Sequence, residues 1–156
     1  MKAVIQRVTS AEVKVDGKIL GSINDGFLIL LGVVEGDTET EAKLLSDKIA
    51  KMRIFSDEND KMNLSLLDFQ NNEEPHKVLV ISQFTLCANT RKGNRPDFFG
   101  AAKPCVAEPL YHRFMNNLRE DFGLSVEEGE FGADMKVSLT NDGPVTIIID
   151  TDDLKK

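Results

Sequence analysis

The sequence predicts an α+β domain: largely antiparallel β-sheets, barrel- or sandwich-like, with two main helices packed on one face. Three observations predict it. Turn signals sit between strand-like runs at Asp16-Gly17 and at Asn141-Asp142-Gly143. Two segments carry a long apolar stripe at helical spacing. Strands do not alternate with helices in the βαβ manner, so a wholly parallel sheet is not expected. The 156 residues are enough for one domain with a core. Residues 1–151 read as that domain, and 152–156 as a frayed tail.

Each element has its reason. In Ala3–Val8 the period-2 alternation puts Ala3, Ile5 and Arg7 on one face. Glu12–Val15 and Lys18–Ile23 flank Asp16-Gly17 as a hairpin. Phe27–Val34 is almost wholly apolar and predicts a central strand covered on both faces. Thr38 opens a helix, because Thr38-x-x-Glu41 fits a capping box; Ala42, Leu45, Ile49 and Met52 form its apolar stripe. Arg53–Phe55 reads as a short strand, and Met62–Phe69 is ambiguous. Lys77–Leu86 is a second strong strand. The second helix spans about Val106–Phe122, with Pro109 in its first turn and Gly123 at its end. Leu110, Phe114 and Leu118 make its apolar row. The last strands lie within 124–139 and 145–150, the second after Pro144, which has no N–H to give to a ladder.

Composition excludes several classes. The net charge of -7 argues against broad, non-specific nucleic-acid binding, though not against contact with a short nucleic-acid end. The stretch Thr90–Lys103 is locally basic, with Arg91, Lys92, Arg95 and Lys103 against Asp97. No apolar run is long enough to span a membrane, and the N-terminus enters a strand pattern directly, so a cytoplasmic location is expected. Cys87 and Cys105 form no CxxC pair, and His76 and His112 have no partner at metal-ligand spacing. No metal or cofactor is expected. GxSxG, P-loop and GxGxxG patterns are absent.

Two positions invite a functional reading without compelling one. Arg7 is a charge on an apolar strand face; it either snorkels at an edge or is held inside as a donor for a site. The strand "VLVISQFTL" turns polar at its end. Alternation pairs Ser82 with Phe84 and Gln83 with Thr85, which offers hydroxyls, an amide and backbone N–H groups but no general base. A strand emerging into solvent would look the same.

Seven motifs in order add a resemblance: "MKAVIQRV", "KMNLSL", "SQFTL", "RKGNRPDF", "AAKP", "GEFGADM" and "NDGPVT". Together, over about Met1–Thr151, they resemble D-aminoacyl-tRNA deacylase of the homodimeric bacterial and eukaryotic type. The polar stretch Gln70–His76 is slightly long for the family and touches no motif.

The resemblance implies hydrolysis of D-aminoacyl-tRNA, and of glycine mischarged on tRNA for alanine, with L-aminoacyl-tRNA spared. It implies a homodimer that binds the 3′ acceptor end of tRNA. It places catalysis at Thr85, Gln83, Phe84 and Ser82. Thr85 is the family's usual catalytic assignment, although a threonine without a base is a weak nucleophile. Backbone N–H groups at Phe84 and Thr85, with the substrate's 2′-hydroxyl, are the favoured alternative. Gly143-Pro144 is implied to be a cis bond that enters the partner's site and rejects L side chains, with Arg7 supporting its loop. "GEFGADM" and "AAKP" are implied to wall the adenosine, with Phe131 and Met135 against the base unless those two are ordinary core. The basic loop Arg91–Arg95 is a natural phosphate contact. Two rivals stand beside this: a sister deacylase with trans Gly-Pro that edits an L-amino acid, and a non-catalytic DNA-associated factor.

Overall fold

The computed structural model describes residues 1–155. A six-stranded sheet contains β1 (Lys2–Val15), β2 (Lys18–Ile23), β3 (Gly26–Gly32), β6 (Lys77–Ser82), β7 (Val126–Glu128) and β8 (Lys136–Asp150). A small antiparallel pair, β4 (Phe55–Ser56) and β5 (Met62–Leu64), stands apart. The helices are α1 (Glu39–Ala50), α2 (Pro104–Phe122) and the short α3 (Thr151–Leu154). The α+β class is the one the sequence predicts. No described helix is long and apolar enough to cross a membrane.

The sheet runs β2-β1-β3-β6-β7, with β8 on the other side of β1. Pairings of β1 with β2, β3 and β8 are antiparallel. The β3–β6 and β6–β7 pairs are parallel, joined by crossovers through α1 and α2, so the sheet is mixed and βαβ connections do occur. The crossover from β3 passes through α1, β4 and β5, an irregular path that hides its βαβ character in the sequence. Gly21 lets the sheet nearly close: a methyl there would lie 3.0 Å from the Glu128 carbonyl oxygen and 3.1 Å from Leu79 Cδ1.

Two cores lie on opposite faces. Ala3, Ile5, Phe27, Ile29, Leu31, Val78 and Val80 pack with Leu45 and Ile49 of α1 and Leu110, Phe114 and Leu118 of α2. Val8, Ala11, Val13, Ile23, Leu28, Leu79 and Ile81 fill the inside of the curled sheet. Each fully buried Leu, Ile or Phe contributes roughly 1.5–3 kcal/mol. The buried positions of β1 change parity between Val8 and Ala11, where its pairing with β8 slips register. The expected strands 3–8 and 12–15 are thus one continuous β1.

The Asp16-Gly17 hairpin forms as expected, with both residues at positive φ (49° and 76°). α2 begins two residues earlier than the apolar row suggests, with Pro104 in its first turn and Pro109 in its interior. Gly123 closes it in the left-handed region. The C-terminal segment is not frayed. Thr151 is buried and donates its N–H to the Met1 carbonyl at 2.9 Å, and Lys155 Nζ meets Glu41 Oε1 at 3.1 Å. Lys156, the last residue of the expected tail, lies outside the described residues.

The capping box of α1 forms as the sequence predicts. Glu41 Oε2 accepts from the Thr38 N–H (2.6 Å) and the Thr38 hydroxyl (2.7 Å). The Thr38 hydroxyl, the Thr38 amide and Lys155 hold the Glu41 carboxyl down at about 2, against an ordinary 4.5. A lowered folded pKa means stability that is whole above pH 4.5 and drains as pH falls toward 2. Glu41→Gln is expected to lower stability by about 1 kcal/mol at neutral pH and to flatten the acid limb of the urea-midpoint profile. An unchanged acid limb would refute this.

Candidate active site

β6 leaves the sheet after Ser82. Gln83 N–H makes the last ladder bond, to Leu31 O at 2.8 Å, and Gln83 then turns away at φ -144°, ψ 78°. Phe84–Cys87 form a 3₁₀ turn rather than more strand, so the expected alternation of Ser82/Phe84 against Gln83/Thr85 does not apply. The first bond of the turn runs from Leu86 N–H to Gln83 O at 3.2 Å. The amides of Phe84 and Thr85 precede it and have no acceptor within the turn.

At this turn opens a cavity of about 670 Å³. Its wall includes Ser82, Gln83 and Phe84 from the end of β6, Phe98 and Lys103 from the loop before α2, Tyr111 of α2, and Phe131 and Met135 before β8. Five of the residues named from the sequence thus meet here: Ser82, Gln83, Phe84, Phe131 and Met135. Thr85 is exposed at the rim and does not line the wall; its Oγ1 accepts from Gln83 Nε2 at 2.5 Å. Phe84 lies edge-to-face on Phe98, with centroids 5.1 Å apart. Phe131 and Met135 have both of the characters left open by the sequence. They line the cavity while packing on the helix-side core and the inner core respectively.

The wall offers donors and flat apolar surface but little acid–base chemistry. It contains no histidine or cysteine, and its one carboxylate, Asp134, is exposed and paired with Lys136 Nζ at 2.9 Å. Tyr111 is buried and its hydroxyl donates to Val80 O at 2.9 Å. Burial pushes that phenol above its ordinary range, so it is a spent donor at neutral pH, not a base. Phe98 and Tyr111 were not named as site residues, whereas Lys103 lies in the quoted motif "AAKP", all four residues of which line the wall. Tyr111 sits in the apolar row of α2 and reads as core, which it also is. Phe98 closes a quoted motif, and that was the available signal.

Arg7, Gly143 and Pro144 lie elsewhere in the chain's own fold and line no part of this cavity. The segment around them is not a hairpin. Both flanks pair with β1, Gln6 opposite Thr146 and Val8 opposite Asn141, so four residues of β8 bulge out where β1 has one. The bulge carries Gly143 at φ 118° and a cis Gly143–Pro144 bond, and both residues are exposed. Arg7 is 8 % exposed. Its Nε donates to Asp142 O (3.3 Å) and lies 3.0 Å from Asp142 Oδ2, while Nη1 donates to Ile54 O at 2.7 Å. Arg7 is therefore an internal donor, and it touches the bulge through Asp142, which the sequence presents only as part of a turn signal. The acid directly before Gly143 was its only signal.

Comparison with known proteins bears on the family. The family model described as "D-Tyr-tRNA(Tyr) deacylase" matches residues 4–150. A D-aminoacyl-tRNA deacylase of Fusobacterium nucleatum is 57% identical over 153 residues, covering 98% of this chain and 97% of that one. Its counterpart in Bacillus pumilus is 55% identical, covering 97% of this chain and 99% of that one. A solved structure named "c-Myc DNA Unwinding Element Binding Protein" superposes with a TM-score of 0.87 at 41% identity, covering 96% of this chain and 98% of that one. A probable eukaryotic D-amino acid tRNA deacylase shares the fold at a TM-score of 0.77 and 16% identity, covering 95% and 97%. With the family model spanning nearly the whole chain and relatives above half identity over nearly their full length, the chain belongs to the D-aminoacyl-tRNA deacylase family of hydrolases, which act on aminoacyl-tRNA ester bonds.

Proposed function

We propose that this protein hydrolyses the ester joining a D-amino acid to the 3′-terminal adenosine of tRNA, as a chiral proofreading step in translation quality control. The observation that carries the reading is the composition of the cavity: hydrogen-bond donors at one end, flat apolar walls at the other, and no base. An aminoacyl ester is already activated, and its hydrolysis passes through a tetrahedral oxyanion. That intermediate needs preorganised donors more than it needs a strong nucleophile. The Phe84 and Thr85 amides, with Gln83 beside them, are suited to that oxyanion. Phe131 and Met135 suit the adenine. The 2′-hydroxyl of the substrate activates the attacking water, and the 3′-hydroxyl leaves with a proton.

Selectivity rests on a second copy of the chain. Gly143 and Pro144 line none of their own cavity, yet they are exposed on β8, whose outer edge has no strand partner among the described residues. A 15-residue open edge carrying exposed Leu139 and Ile148 is a surface that a homodimer would cover. In that dimer the Gly143 and Pro144 carbonyls enter the partner's site, accept from the substrate α-amino group, and fill the space an L side chain would need. Discrimination is then by exclusion. Such a filter passes glycine, so glycyl-tRNA mischarged on tRNA for alanine is hydrolysed too.

The test is deacylation of D-Tyr-tRNA and L-Tyr-tRNA by the purified protein. The D-ester is expected to react faster by a factor on the order of 100 or more. Activity on neither, on both equally, or on the L-ester alone would overturn the reading, the last in favour of the L-editing sister type. Thr85→Ala is expected to retain activity within about tenfold, because the amides remain. A loss of a thousandfold or more, with the fold intact, would make Thr85 the nucleophile. The relative named as a DNA-unwinding-element binder favours a second reading, a DNA-associated factor. The net charge of -7 counts against a broad duplex-binding face.

A further inference from the structure

The loop that supplies Phe98 to the cavity continues outside it as the basic stretch already expected to meet phosphate, and the bare ring beside that stretch has had no role so far. Asn89 and Asp97 close its neck with paired backbone bonds (2.9 and 3.1 Å) and a side-chain bond from Asn89 Nδ2 to Asp97 Oδ2 at 3.1 Å. Residues 90–96 project from this neck, all of them exposed. Arg91, Lys92 and Arg95 lie on the projection. None of the three has an ion-pair partner among the described residues, although the chain as a whole is strongly acidic. Asp97, the only acid of the loop, is engaged by Asn89 and by the Phe99 amide.

Phe99 follows directly. It is 91% exposed, the most exposed of the large apolar side chains. Its exposure is not that of a slack loop. Ala101 N–H bonds Phe98 O at 3.0 Å, Ala102 N–H bonds Val33 O at 3.0 Å, and Glu35 N–H bonds Gly100 O at 2.9 Å. On one side of Phe99, Phe98 lines the cavity; on the other, the backbone is tied to the end of β3. A rigidly presented bare aromatic ring beside three unpaired cations, next to the cavity proposed for a terminal adenosine, has the features of a single-strand nucleic-acid platform. Cations track the phosphates and an aromatic face stacks on a base.

We propose that the loop at 90–96 and the ring of Phe99 form a second nucleotide subsite outside the cavity, which grips the single-stranded RNA immediately 5′ of the terminal adenosine. Arg91, Lys92 and Arg95 hold its phosphates and Phe99 stacks on its base. The inference rests on the deacylase reading and adds to it where the rest of the acceptor end lies. It also accounts for how an acidic protein holds RNA: the attraction is confined to one loop.

The experiment compares kcat/KM on D-Tyr-tRNA with kcat/KM on D-tyrosyl-adenosine, which ends where the cavity ends. The quantity read is the ratio of the two. A variant that folds poorly loses both substrates together and leaves the ratio alone. Phe99→Ala is expected to lower the ratio about tenfold, within the range of base–aromatic stacking. The triple change Arg91→Gln, Lys92→Gln, Arg95→Gln is expected to lower it at least as far. It should also reduce the slope of log kcat/KM against log salt on tRNA by about 2, at roughly 0.7 per phosphate contact. Phe99→Trp is expected to keep the wild-type ratio, and Phe99→Leu to behave like alanine. A ratio unchanged in Phe99→Ala and in the triple variant overturns the subsite while leaving the deacylase reading intact. Leucine restoring the ratio as fully as tryptophan also overturns it, because an apolar protein contact, such as a second copy, would then be the occupant. If the wild-type protein cleaves neither ester, both readings fall together.

Discussion

Arg7→Ala is expected to abolish most of the discrimination between D- and L-aminoacyl-tRNA and to lower stability by about 2–3 kcal/mol. Arg7 joins three things: its own strand, the carbonyl of Ile54 before β4, and the β8 bulge through Asp142. Its guanidinium also lies against Gly143, where an added Cβ would come 3.1 Å from Nη2. Truncation leaves the buried Ile54 without this donor and removes the internal support of the bulge. The proposed filter of carbonyl oxygens would work only while those oxygens are held still, so a loosened bulge would admit the L-ester. Arg7→Lys is not expected to rescue selectivity, because one ammonium cannot reproduce the fork that reaches Ile54 and Asp142 together. The measurements are the D/L rate ratio and the urea midpoint. Lower stability with an unchanged ratio would confine Arg7 to holding the fold.

Gly26→Ala is expected to destabilise the protein by more than about 3 kcal/mol, from a backbone overlap that no rotamer can relieve. Gly26 starts the parallel β3–β6 pair opposite Lys77, at φ 151°. A methyl there would lie 1.8 Å from the Lys77 carbonyl oxygen and 2.8 Å from Lys77 C and N. Relief means separating the two central strands. The cavity hangs on the far end of β6, so activity is lost with the fold. For a chain of this size, 3 kcal/mol corresponds to a fall in Tm of about 10 °C. Gly17→Ala is the control: its φ is 76°, but no atom lies within 4 Å of the added methyl. It should cost only about 1 kcal/mol, from backbone conformation alone. If both variants melt together, the close approach of β3 and β6 is not what requires Gly26.

The sequence was most legible where a physical rule acts over a few residues. The Asp16-Gly17 hairpin, the Thr38/Glu41 capping box and the apolar row of α2 all form where the spacing puts them. So does the burial of Ala3, Ile5 and Arg7 on one face of β1. It was least legible where several segments compete for one partner. The parallel pairing of β3 with β6 joins strands more than forty residues apart, and no local signal reports it. The 3₁₀ turn at Phe84 was hidden for a related reason. "SQFTL" has no breaker residue, and the strand ends there because β3 ends opposite it.

Turn signals and short-range periodicity by themselves determined the α+β class, the motifs pointed to the family, and that resemblance named five of the residues that gather at the cavity, Ser82, Gln83, Phe84, Phe131 and Met135. Only the tertiary structure decided what "NDGPVT" is. Locally it satisfies the rule for a hairpin, since Gly143 does take the positive φ that an Asp-Gly turn uses. The rule does not say which strand each flank will pair with. Both flanks pair with β1, so the extra residues are pushed out as a bulge rather than reversing the chain. That puts Gly143 and Pro144 on an open edge, away from their own cavity and held from behind by Arg7. The physical reason is that backbone conformation is set by neighbours in sequence, whereas strand partnership is set by burial and hydrogen bonding across the whole sheet.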